Sequence, residues 1–173
     1  MTTALAAFTL AHVIISIVAI LSGMEVMAGL LSSQRRDGWT IVFLATTIAT
    51  SASGFGFPAA HILPSHIVGA VSLVVLALAC LARYMFRLAG AWRRVYTIGA
   101  TTALYLNVFV LVVQLFRRVP ALNALAPRQT EPPFAIAQGV VLVLFIALGV
   151  AVTIRFRDQP PSARVVPPRA TAG

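Results

Sequence analysis

Three histidines, His12, His61 and His66, and three side-chain amides, Asn107, Gln114 and Gln138, are the groups in this chain best able to hold a ligand. A neutral imidazole can ligate haem iron, hold zinc or copper together with other donors, or hydrogen-bond a quinone head group and relay protons. Carboxamides add a donor and an acceptor on one side chain. His12 and His66 are the leading ligand pair, with Asn107 and Gln114 closing the same cavity and Gln138 and His61 as outlying members. Three histidines limit any haem b to one bis-histidine site per chain. The His61-x-x-x-x-His66 spacing is broken by Pro64, so it is not the i, i+4 helical pair of a zinc protease. The competing reading is structural, with the amides only bonding one helix to another.

Other chemistries find little support. There is no Gly-Lys-Ser/Thr phosphate loop, no Gly-x-Ser-x-Gly elbow and no Cys-x-x-Cys. The acidic residues are four, Glu25, Asp37, Glu131 and Asp158, too few and too scattered for a carboxylate hydrolase. An enzymatic activity is therefore not expected. The single cysteine, Cys80, lies in an apolar run and reads as a small core hydrophobe. A formal charge of +9 and a pI near 11.7 invite a nucleic-acid reading, but that requires a basic stripe on a folded face. Here the thirteen basic residues, all Arg, punctuate apolar segments. No nucleic-acid partner is expected.

The elements that must position these groups are membrane helices. The chain is 60% hydrophobic and 10% charged over 173 residues, with a mean hydropathy of +0.94, far above the roughly 45–50% apolar content of a soluble domain. Five runs approach the ~20 apolar residues of a bilayer crossing: 4–31, 40–60, 65–86, 95–116 and 134–154. In lipid every backbone polar group needs an internal partner, so residues 1–154 are expected to form one all-α, five-transmembrane-helix bundle. Residues 155–173, with Pro160, Pro161, Pro167 and Pro168, read as a disordered cytoplasmic tail. The first apolar stretch is too long for a signal-peptide core and has no basic residues before it, so it is expected to remain as helix one.

Alternate crossings place Arg35, Arg36, Arg83, Arg87, Arg93, Arg94, Arg155, Arg157, Arg164 and Arg169 on one side and Arg117, Arg118 and Arg128 on the other, ten against three. The positive-inside rule makes the first side cytoplasmic and the N-terminus external. Trp39 and Trp92 then fall at the cytoplasmic interface, where aromatic belts form. A multi-pass protein of a bacterial inner membrane follows, with the lipid bilayer as its first partner and a homo-oligomer or a larger membrane complex as a further one.

On this topology all three histidines lie on the outer side. His12, Ser16, Ala19 and Gly23 share one helical face, and Thr47, Ser51 and Gly54 share another, the small-residue faces that membrane helices bring together. Tyr96, Ala100, Ala103, Asn107 and Gln114 fall on one line of the fourth helix, and a polar line in lipid turns inward. Glu25, the one carboxylate inside an apolar run, is expected to form an intramembrane ion pair with Arg83 or Arg87. Residues 119–133, with four prolines, are expected to form a short irregular cap on the outer surface.

The stretches "PSHIVGAVSLVVLALA" and "YLNVFVLVVQLFRRVPALNALAPRQTEPPF" resemble a group of small uncharacterised bacterial membrane proteins, over most of the chain from Trp39 to Ile154. The resemblance implies an integral membrane location and no particular activity. The functional expectation is thus an outer-leaflet polar and histidine pocket for haem, a metal or a quinone, accessory to electron transfer. A structural or accessory subunit without ligand, and a small-solute transporter, are the alternatives.

Overall fold

A computed structural model describes residues 3–57 and 64–157. The described residues form six α-helices and no strand: α1 Thr3–Leu31, α2 Asp37–Gly54, α3 Pro64–Cys80, α4 Trp92–Arg118, α5 Pro120–Leu125 and α6 Pro132–Arg155. Four helical segments, Thr3–Leu31, Ser65–Met85, Trp92–Arg118 and Pro132–Arg155, are long and apolar enough to cross a membrane. α2 has 18 residues and spans about 27 Å at 1.5 Å per residue. Its hydroxyl residues, Thr40, Thr46, Thr47, Thr50, Ser51 and Ser53, make it the richest in hydroxyls of the long helices.

Local chemistry sets the boundaries. α2 begins three residues before its expected start because Asp37 lies in its first turn, where a carboxylate opposes the positive end of the helix dipole. α3, α5 and α6 each open on a proline, whose missing N–H costs nothing in a first turn. α3 does not run on as a plain helix to residue 86. It passes into a π turn, Leu81–Met85, closed by the Phe86 N–H to the Leu81 carbonyl. The Leu88 N–H then returns to the Ala82 carbonyl, with Arg87 and Leu88 at φ 48° and 60°, a left-handed helix ending.

The segment expected to be an irregular cap differs as well. It contains the helix α5 and is stitched to α4 by two side chains. Asn123 Nδ2 donates to the Phe116 carbonyl (3.1 Å) and Gln129 Nε2 to the Val113 carbonyl (2.9 Å). Proline fixes φ at a first helical position as readily as it breaks a helix interior, so proline content alone did not distinguish the two outcomes.

α4 is the central helix and meets α1, α2, α3 and α6, while α1 also lies against α2 and α6, and α2 against α3. The four neighbours form an arc around α4 in the order α3, α2, α1, α6. Consecutive long helices are antiparallel, so one end of the bundle carries the arginine-rich turns and the other carries His12 and His66. The tight core is displaced toward the arginine end: Ala19 to Leu30 of α1, Tyr96 to Leu104 of α4 and Val152 of α6 are its buried contributors. Toward the histidine end no residue of α1 before Ala19 is fully buried among those described. Large apolar side chains such as Leu10, Met24, Val143 and Ile154 face outward, a surface suited to lipid.

Candidate functional site

His12 lies half-buried in the third turn of α1, and its Nδ1 is 2.8 Å from Ser53 Oγ near the end of α2. Ser53 Oγ in turn donates to the Thr50 carbonyl (3.2 Å). Ser16, one turn along α1, donates to the His12 carbonyl (2.7 Å) and lies 3.4 Å from Thr50 Oγ1. The edge of the imidazole meets Phe57 at 5.1 Å and 88°, and Phe57 packs against Phe8 at 5.0 Å. The imidazole is thus held between the Phe57 ring and a short hydroxyl chain.

His66, in the first turns of α3, stacks on Phe55 at 5.5 Å and 13°. Its backbone neighbour Gly69 lets Phe55 come close, since a Cβ there would sit 3.2 Å from the ring. His12 and His66 therefore engage the same end of α2 from its two flanks, through Ser53 and Phe57 on one side and Phe55 on the other. Below them Ser51 Oγ donates to Ser72 Oγ (2.9 Å), both buried. Asn107 Nδ2 donates to Thr47 Oγ1 (3.2 Å), a fully buried hydroxyl. The His12 and Asn107 contacts are six residues apart on α2, ~9 Å along its axis.

The remaining expected members are placed elsewhere. Gln138 Nε2 donates to the Phe109 carbonyl of α4 (3.2 Å), and its buried Oε1 has no hydrogen bond among the described residues. Gln114 is exposed, although it shares a line with Tyr96. At its height α2 ends, at Gly54, and among the described residues no further turn of that helix covers this face. His61 lies outside the described residues. Among those described, no three His, Cys, Asp or Glu side chains come together as a metal site would require.

The ion pair expected of Glu25 with Arg83 or Arg87 takes another form. Glu25 pairs with Arg36 from the turn that follows its own helix, and Arg83 pairs with Asp37 at the start of α2. Arg36 reaches back along α1 because Gly29 leaves room for its side chain, which is a shorter path than one from α3. A second polar centre, missed in the sequence, is the result. The Arg83 side chain is 5% exposed, while that of Asp37 is 69% exposed. The guanidinium lies 5.2 Å from the Tyr96 ring centre and 5.8 Å from that of Tyr84. The Tyr96 hydroxyl, fully buried, lies against Thr40 and this guanidinium, neither of which meets it in full hydrogen-bond geometry. The hydroxyl-rich composition of α2 was the available signal for the first centre, and the second had none beyond an Arg in an apolar helix end.

An open apolar groove of about 530 Å³ runs between α4 and α6, past Thr101, Tyr105, Phe145 and Gly149. It holds none of the expected ligand groups. No protein-family model, curated protein or solved structure matches this chain.

Proposed function

We propose that this chain is a five-span protein of a bacterial inner membrane, with its arginine end cytoplasmic, whose outer half binds a quinone-type head group at His12. α2 supplies the fifth span. Its ~27 Å length matches a hydrocarbon core about 30 Å thick, and its hydroxyls are turned mainly onto neighbouring helices. Eight described arginines at one end against three at the other favour that orientation.

The observation that carries the ligand reading is the His12–Ser53–Thr50 chain. With Ser53 donating to the Thr50 carbonyl, the imidazole holds its proton on Nδ1 and gives it to Ser53, leaving Nε2 as an acceptor. Turning the Ser53 hydroxyl toward Nδ1 reverses this, and Nε2 becomes a donor. A quinone offers carbonyl acceptors and its reduced form offers hydroxyl donors, so one imidazole serves both redox states. Phe57 and Phe8 supply apolar surface beside the imidazole for the ring, and the exposed apolar side chains of α1 around it, Leu10 and Val13, offer a lipid-facing path for an isoprenoid tail. The same free Nε2 would suit a metal, but among the described residues no three His, Cys, Asp or Glu side chains gather as a metal site requires.

The test is equilibrium binding of a short-tailed quinone to the protein in nanodiscs. Wild type should bind saturably, His12→Ala should weaken binding at least tenfold, about 1.4 kcal/mol, and Gln114→Ala should leave it unchanged. Absence of saturable binding, or equal affinity in His12→Ala, returns the site to a purely structural role, in which the same hydrogen bonds only fasten α1 to α2.

A further inference from the structure

Arg83 is an unusual place for a positive charge. It sits on a π turn, a feature that recurs at functional sites because it re-aims side chains, and its side chain is almost wholly enclosed. Around it gather donors rather than acceptors. The guanidinium contributes five N–H groups, and the buried Tyr96 hydroxyl adds an O–H with no hydrogen-bond partner. The Thr40 hydroxyl, beside Tyr96, gives its own proton to the Arg36 carbonyl (3.0 Å). The one carboxylate that answers this cluster is Asp37, whose side chain stands mostly in the open. Beside it an open depression of about 530 Å³ is lined by Arg36, Asp37, Gly38, Trp39 and Val42.

We propose that Arg83 and Tyr96 form a binding site for a phosphate group, which the Asp37 carboxylate now occupies as a built-in substitute. Asp37 belongs to the first turn of α2 and can rotate into water at little cost, because its charge is already largely hydrated. A phosphate arriving through the depression brings more acceptor oxygens than a carboxylate. It pairs with the guanidinium in a charge-assisted, two-point contact and accepts the hydrogen bond that Tyr96 does not make. Direction of approach is set by charge, since the described residues at this end include eight arginines against Glu25 and Asp37 and so draw anions from solution and from the membrane surface. The phosphate is that of an anionic lipid head group or a free ion, the same chemistry from two sources.

Both tryptophans of the chain, Trp39 beside Asp37 and Trp92 stacked on Phe86 at 3.8 Å, lie at this end and report on it by fluorescence. The protein in phosphatidylcholine nanodiscs is titrated with inorganic phosphate, and separately placed in nanodiscs containing phosphatidylglycerol, with fluorescence and thermal midpoint read in each. A response to phosphate identifies a free-ion site, and a response to phosphatidylglycerol alone identifies a lipid site. Tyr96→Phe, which removes a hydroxyl that meets no neighbour in full hydrogen-bond geometry, should fold with near-wild-type stability in neutral lipid and respond several-fold more weakly. Asp37→Asn should be less stable than wild type without anion, regain that stability with it, and bind about tenfold more tightly. No response to either anion source, a response that survives in Arg83→Met, or an Asp37→Asn protein that anion does not restore would overturn the site.

Discussion

A single hydrogen bond ties the centre of α4 to α2, that of Asn107 to Thr47, and it carries a measurable coupling. Bonds of this kind between membrane helices average about 0.6 kcal/mol and reach about 1.7. Asn107→Leu and Thr47→Val, combined in a double-mutant cycle on thermal stability in detergent, should give a coupling within that range. Additive effects would mean that the two side chains do not bond. Asn107 was legible as inward-facing, because its line on α4 also carries Tyr96, Ala100 and Ala103, all fully buried. Gln114 was not, since helical arithmetic fixes an angle but not whether a neighbour exists at that height. Arg83 was misassigned for a related reason. Its partner lies 46 residues away in sequence, and the π turn that aims it leaves no mark in the pattern of apolar residues.

Of the described glycines, Gly23 leaves the least room for a side chain. A Cβ there would come 2.7 Å from Leu104 Cδ1 and 2.8 Å from Phe43 Cε2, two residues buried to within 1%. Gly23→Ala should therefore destabilise the bundle by about 1–3 kcal/mol, the cost of overpacking a filled core. Gly139, midway along the outer part of α6, has nothing within 4 Å of the same atom. Gly139→Ala should be neutral or gain up to about 1 kcal/mol from helix propensity. Thermal melts of the two variants check the pair, and equal effects would contradict the packing. Apolar run length placed α1 and α6 within two residues of their observed ends, since a lipid-facing helix is specified by composition over its whole length. It misplaced the ends of α2 and missed α5, where capping chemistry and proline position decide the outcome over two or three residues.

At the scale of the whole molecule, orientation is the property the arginines govern. Reporter fusions after Asp37, Trp92 and Asp158 should be active on the cytoplasmic side, and fusions at residues 123–127 on the outer side. An external report after Asp37 would reverse the bundle, and disagreement between the Asp37 and Trp92 fusions would remove α2 from the membrane. The same architecture has a meaning for how the chain is made. α6 gives Val152 alone to full burial along its helix, and its end is fastened late, through the Arg155 carbonyl and Arg157 N–H to Ser33 Oγ (2.7 and 2.9 Å). The first four long helices can assemble their shared interior while the last is still in the ribosome. α6 therefore emerges onto a surface that the preceding long helices have already built, and has only to settle on it.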